Sequence, residues 1–74
     1  LDARAATQAT RLERALADPE PAVRAAALLR LAEASASVPA LSSSRPAAEE
    51  LLRDPSPLVR RAAHHAAARL GAAR

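Results

Sequence analysis

The sequence lacks cysteine, methionine and all aromatic residues, and it contains a single glycine. Without cysteine there is no disulfide framework, thiolate zinc site, iron–sulfur cluster or cysteine nucleophile. Without aromatic residues the chain cannot stack on nucleic-acid bases or enclose a methylated ammonium group. A single glycine cannot form a glycine-rich phosphate loop. These absences exclude several classes of enzyme and binding site before any sequence pattern is considered.

Positive charge comes from arginine alone, since 11 arginines stand against 8 acidic residues and lysine is absent. The resulting net charge of +3 is too small to indicate a nucleic-acid-binding protein. No apolar run approaches the roughly 20 residues of a membrane span, and the chain has no signal-peptide pattern. We therefore expect a cytoplasmic segment of a longer protein, without membrane association. Abundant alanine, arginine and proline predict a GC-rich, bacterial source.

The chain repeats itself with a period of 36 residues. Asp18-Pro19-Glu20-Pro21-Ala22-Val23-Arg24 recurs as Asp54-Pro55-Ser56-Pro57-Leu58-Val59-Arg60. The similarity extends over residues 13–27 and 49–63. A repeat of this length is typical of solenoid architectures.

Proline spacing predicts helices on both sides of each repeated turn. A residue before proline is disfavoured in a helix, whereas proline suits the first helical turn. Thr10 opens a capping-box pattern and is an alternative start for the first helix. Gly71 occupies the expected position of a left-handed C-terminal cap. The predicted helices cover about 3–17, 21–34, 46–53 and 57–70.

Four helices joined by short turns predict an all-α fold, an α-α superhelix segment of two antiparallel hairpins. We expect one repeat over residues 1–34, a linker over 35–45, and a second repeat with the start of an exit segment over 46–74. Helical periodicity places apolar residues on one side of the first and fourth helices. These are Ala5, Ala9, Leu12 and Leu16, and Val59, Ala62, Ala63, Ala66 and Leu70. A core made mostly of alanine is thin, so it needs neighbouring repeats.

The pattern Leu-x-Asp-Pro-x-Pro-x-Val-Arg-x-Ala-Ala, at 16–27 and 52–63, resembles the HEAT-like repeat family. A leucine-rich variant repeat opens similarly, but its period is shorter. The resemblance implies an α-solenoid segment acting as a non-catalytic scaffold that binds protein partners and neighbouring repeats of its parent chain. In that family an aspartate before the turn and an arginine six residues later form a ladder between repeats. The matching residues are Asp18, Arg24, Asp54 and Arg60.

Two further functions stay open beside the scaffold: an accessory solenoid of an enzyme, such as a lyase-type HEAT-like protein, and a nucleic-acid-binding solenoid. The residues favour neither. Adjacent helical residues diverge by about 100°, so His64 and His65 cannot bind one metal ion. The run Ser42–Ser44 lacks the context of a nucleophile. We therefore predict no catalytic, cofactor or metal site.

Candidate partner-binding residues lie on the outward sides of the second and fourth helices. They are Leu28, Leu29, Arg61, His64 and His65. Leu28 and Leu29 align with the two histidines after the 36-residue shift. Two outward leucines indicate either a partner-binding face or a seam covered by material outside this chain. Arginines near the histidines leave three interpretations of this basic surface: a solvated face, a phosphate or nucleic-acid contact, or an acidic protein partner.

Overall fold

The computed structural model describes residues 3–37 and 44–72. Within these ranges the chain is helical and has no strand. The helices are α1 (Ala3–Leu16), α2 (Pro21–Ala34), α3 (Arg45–Glu50) and α4 (Pro57–Ala72), and a 3₁₀ turn over Leu51–Arg53 extends α3. The all-α fold of two helix hairpins is confirmed. Pro39, Ser42 and Ser43 of the expected linker lie outside the described residues.

The prolines set the helix ends as the sequence predicts. After α1, the N–H groups of Ala17 and Asp18 donate to the carbonyls of Arg14 and Ala15, at 3.1 and 3.2 Å. Pro19 follows, and α2 begins two residues later with Pro21 in its first turn. The second copy behaves alike, because Asp54 adopts extended backbone before Pro55 and α4 begins at Pro57. No helix starts at Thr10, since α1 is continuous through it.

The predicted cap at Gly71 is wrong. The α4 helix runs through Gly71 to Ala72, and Gly71 does not have a positive φ angle. The guanidinium of Arg45 lies over this glycine, 3.5 Å from the position that a Cβ atom would take. A Cβ atom there would make ordinary van der Waals contact with Arg45, the first residue of α3, which packs against the last turn of α4.

Alanine forms about half of the core. Seven of the thirteen buried apolar side chains in the described part of the chain are alanines. All five residues of the predicted α4 stripe are buried, and so are Leu12 and Leu16 of the α1 stripe. Each alanine removes little apolar surface from water but loses no side-chain entropy on folding. The small side chains let α2 and α4 pack closely against each other.

The central element is α2, which packs against α1 on one side and α4 on the other. For this reason the prediction that Leu28 faces outward is wrong. Leu28 is 0% exposed, whereas its neighbour Leu29 is 49% exposed. A helix packed on two sides buries a wider arc than one apolar stripe describes. The seam that covers Leu28 is formed within this chain.

Leu28→Ala should destabilise the fold much more than Leu29→Ala. Truncating a buried leucine costs about 2–5 kcal/mol, and in a domain this small each kcal/mol shifts the melting temperature by roughly 4–8 °C. We expect the Leu28 variant to melt at least about 10 °C below the parent chain, or not to fold, in circular dichroism. Leu29→Ala should stay within about 4 °C. Equal shifts for the two variants would contradict the packing described here.

Candidate protein-interaction surfaces

The two hairpins are joined by a bidentate ion pair between Arg24 and Asp54. Arg24 lies in the first turns of α2, and Asp54 lies in the turn before α4. Arg24 Nε donates to Asp54 Oδ2 at 3.0 Å, and Arg24 Nη2 donates to Asp54 Oδ1 at 3.0 Å. Both side chains are largely shielded from solvent, with 15% and 6% exposed. Two parallel hydrogen bonds fix the direction as well as the distance between the hairpins.

Backbone carbonyls hold the Arg24 guanidinium in place. Arg24 Nη1 donates to the carbonyl oxygens of Asp18 and Pro19, at 2.8 and 3.0 Å. The arginine therefore binds the turn of its own hairpin with one nitrogen and the carboxylate of the next hairpin with the other two. This six-residue spacing between Asp18 and Arg24 is the spacing noted in the sequence.

Asp54 is in turn held by its own loop. Its Oδ1 accepts a hydrogen bond from the backbone N–H of Ser56 at 2.9 Å. The pKa of Asp54 is lowered from its ordinary value of 3.8, most of all by the hydrogen bond from Arg24 and then by the Ser56 N–H. Burial acts in the opposite direction, and the positive charges of Arg24 and Arg60 add to the lowering. The carboxylate is thus held ionised in its place beside Arg24.

The second copy of the pattern repeats the first up to the ion pair. Arg60 Nη1 donates to the carbonyls of Asp54 and Pro55 at 2.7 and 3.0 Å. Asp18 Oδ1 accepts the N–H of Glu20 at 2.8 Å, as Asp54 accepts that of Ser56. Among the residues at 3–37 and 44–72, however, Asp18 forms no ion pair with an arginine and Arg60 none with an acid. We call the Arg24–Asp54 ion pair the joint. Asp18 and Arg60 each repeat one half of the joint, without an ion-pair partner among the described residues.

A further hydrogen bond joins α1 to the start of the second hairpin. The buried Ser44 hydroxyl donates to Glu13 Oε1 at 3.2 Å. This contact places Ser44, the last serine of the Ser42–Ser44 run, in the packing between α1 and α3. A structural role accounts for it without any nucleophilic chemistry.

Exposed apolar side chains lie on the solvent side of α2 and α4. Leu29 and Leu58 are 49% and 56% exposed. Leu58 precedes His65 by seven residues, about two helical turns, so the two share one side of α4. Leu29 occupies the position on α2 that His65 occupies on α4. We call Leu29, Leu58 and His65 the outer face.

Sequence reasoning missed Leu58 and identified Leu29 and His65. The seven-residue spacing between Leu58 and His65 is the signal that could have included it. Arg61 and His64 are exposed as expected and lie to one side of the outer face on α4. Val23 is 39% exposed although its counterpart Val59 is fully buried. The difference arises because α2 covers Val59, whereas the corresponding side of α2 has no helix upon it in the described structure.

The described residues contain no group of three or more histidine, cysteine or acidic side chains arranged to hold a metal ion. An open cleft of about 790 Å³ between α1 and α2 is lined by both signs of charge, including Arg11, Arg30 and Glu33. None of the helices described here is both long and apolar enough to span a membrane.

The contribution of the ion pair to stability should depend on pH in acid. The folded-state pKa of Asp54 lies below 3.8, so the pair contributes fully above about pH 4 and is lost as the pH falls through the lowered pKa. Asp54→Asn should therefore lower the urea midpoint of unfolding at about pH 6, and this deficit should shrink towards about pH 2. Asp18→Asn is the matched control, since Asp18 makes the same turn bond without the ion pair. A deficit for Asp54→Asn that is equal at both pH values would contradict the assignment.

The sequence comparison agrees with this architecture. The family described as HEAT repeats matches residues 9–74. No curated protein and no solved structure gives a significant match. HEAT repeats are helical repeats that commonly mediate protein interactions, and the matched region includes both Asp-Pro turns, the Arg24–Asp54 pair and the outer face. The chain belongs to the HEAT repeat family.

Proposed function

We propose that the chain is a non-catalytic scaffold segment of a larger protein and that it binds a protein partner through the outer face. The observation that carries this proposal is the exposure of Leu29 and Leu58 on adjacent helices of a repeat structure. Single exposed leucines are ordinary on protein surfaces. Two that lie on the same side of parallel, packed helices provide apolar contact across both repeats.

The chemistry around the leucines suits recognition of a mixed surface. His65 lies on the same side of α4 as Leu58, and Arg61 is exposed nearby. An apolar centre with polar groups at its edge is the usual composition of a protein interface. His64 is also exposed, but it lies further round α4, away from the leucines. Leu28 is excluded from the proposed surface because it is buried in the core.

The rigid joint between the hairpins supports such a role. A partner that contacts Leu29 on α2 and Leu58 on α4 needs a fixed distance between the two helices. The Arg24–Asp54 pair and the alanine-rich packing of α2 on α4 supply that constraint. Binding to a preformed surface avoids the entropy cost of ordering it. We also propose residues 1–34 and 46–74 as one repeat each, joined by the linker at 35–45.

Photo-crosslinking in the parent protein tests the location of the interface. A photoreactive amino acid is placed at Leu29 or Leu58, and at Gln8 on α1 as the control, because Gln8 is exposed on another part of the surface. The partner captured from the outer face is identified by mass spectrometry, purified and titrated against the intact protein. We expect a discrete crosslinked product from the outer face and none of the same identity from Gln8.

Charge insertion then tests the energetics. Leu29→Glu combined with Leu58→Glu should weaken binding of that partner by more than about tenfold, because two apolar contacts of about 1.5–3 kcal/mol each are lost. Gln8→Glu adds the same kind of charge and should leave the affinity unchanged. Circular dichroism should show the parent helix content in each variant. Unchanged affinity in the double variant, or equal crosslinking from Gln8, would overturn the proposal.

A further inference from the structure

The repeat symmetry identifies a second surface, on the side of α4 that faces away from α2. The helices α2 and α4 begin at Pro21 and Pro57, which are themselves 36 residues apart, so residues related by this shift occupy equivalent positions on the two helices. On α2 the side that carries Ala25, Leu28 and Ala32 is buried. Their equivalents on α4 are Arg61, His64 and Ala68, and all three are exposed.

The buried side of α2 is the one that α4 covers. On α4, the residues Ala63 and Leu70 are buried in a hairpin packed against α3. Their equivalents on α2, Ala27 and Ala34, must by the same symmetry face α1. Leu31 lies between the two sides, and the buried residues Ala25, Leu28 and Ala32 therefore lie under α4. The corresponding side of α4 is not covered by any helix of the described residues, and with Arg60 we call it the end face.

Arg60 provides the end face with a preformed carboxylate site. Its Nη1 donates to the carbonyls of Asp54 and Pro55, the equivalents of the two that hold Arg24, with distances that agree within 0.1 Å. In Arg24 the other two nitrogens bind Asp54. In Arg60 the same Nε and Nη2 edge has no acidic partner among residues 3–37 and 44–72. A guanidinium held in this way loses little entropy when a carboxylate binds.

The rest of the end face departs from the surface that α2 offers to α4. Arg61 replaces Ala25, and His64 replaces Leu28. A second copy of this chain, stacked in the same way, would bring Asp18 to Arg60, but it would also bring Val23, Ala26 and Arg30 to this surface. Arg30 would then lie beside the basic side chains of α4, and nothing apolar would receive Val23. The side chains of Arg61 and His64 therefore disfavour a second copy and favour a segment that carries further carboxylates.

We infer that the end face binds an acidic helical segment of a partner protein. One aspartate or glutamate of that segment occupies the fork of Arg60, as Asp54 occupies that of Arg24. Further carboxylates lie over Arg61 and His64, where an ordinary stacked repeat would place alanines. The end face adjoins the outer face at Arg61 but contains none of Leu29, Leu58 and His65, so the two can be tested independently.

Two synthetic peptides provide the test. The first copies residues 51–72, which contain the Asp54 turn and the side of α4 that covers α2. The second carries Ala62→Glu and Ala66→Glu in the same peptide, which puts carboxylates where Arg61 and His64 would meet them. Each is titrated by calorimetry into the full 74-residue chain at about 50 mM salt. We expect the acidic peptide to bind at least about tenfold more tightly than the unsubstituted one.

Variants of the chain locate the binding site. Arg61→Glu should weaken binding of the acidic peptide by at least about tenfold, whereas Arg14→Glu, the same charge change on exposed α1, should have little effect. Asp54→Asn in the acidic peptide should weaken binding to the parent chain but not to the Arg60→Met chain, because both changes remove the same contact. Leu29→Glu should leave binding unchanged, which separates this result from the fate of the outer face.

Three results would overturn the inference. The first is equal or tighter binding by the unsubstituted peptide, which would make the end face a seam for a further alanine-rich repeat. Equal weakening by Arg14→Glu and Arg61→Glu would reduce the effect to overall charge. Absence of binding by the acidic peptide to a chain whose circular dichroism is that of a folded protein would exclude the site.

Discussion

The relation between the two hairpins depends on one arginine that belongs to both. Arg24 is anchored to the carbonyls of its own turn and donates two hydrogen bonds to Asp54 of the next hairpin. Since the guanidinium is planar, these contacts fix its orientation from two sides. The direction of α2 relative to the second Asp-Pro turn follows from this geometry. The outer face depends on that direction, because it combines side chains of the two repeats.

Small side chains make this polar joint important. Seven of the thirteen buried apolar residues in the described ranges are alanines, which contribute little apolar area for each residue ordered. Alanine packing allows α2 and α4 to approach closely but specifies their register weakly, since one methyl group resembles the next. A bidentate ion pair is directional and supplies the register that a uniform core does not. Leu28 and Leu31, both fully buried, provide the larger contacts at the centre.

Local chemistry explains which features the sequence could predict. Pro19, Pro21, Pro55 and Pro57 restrict the backbone directly, so the helix ends near them follow from the sequence alone. The repeat of Asp-Pro-x-Pro with a later arginine also identified the residues that form the joint.

Burial by another repeat is harder to predict, because it depends on neighbours along the stack. A single helical wheel placed Leu28 beside Leu29 on an outward side, whereas α4 covers only Leu28. The same effect leaves Val23 exposed while Val59 is buried. The cap predicted at Gly71 is wrong because α4 continues through this residue to Ala72. What the sequence could not give was the position of each helix within the stack.

A double-mutant cycle on Arg24→Met and Asp54→Asn, measured by urea unfolding, tests the role of the joint most directly. We predict that each single variant lowers the free energy of unfolding. The double variant should be only slightly less stable than the less stable single variant, because both substitutions remove the same interaction. Losses that add fully in the double variant would contradict it, because the two residues would then stabilise the fold independently.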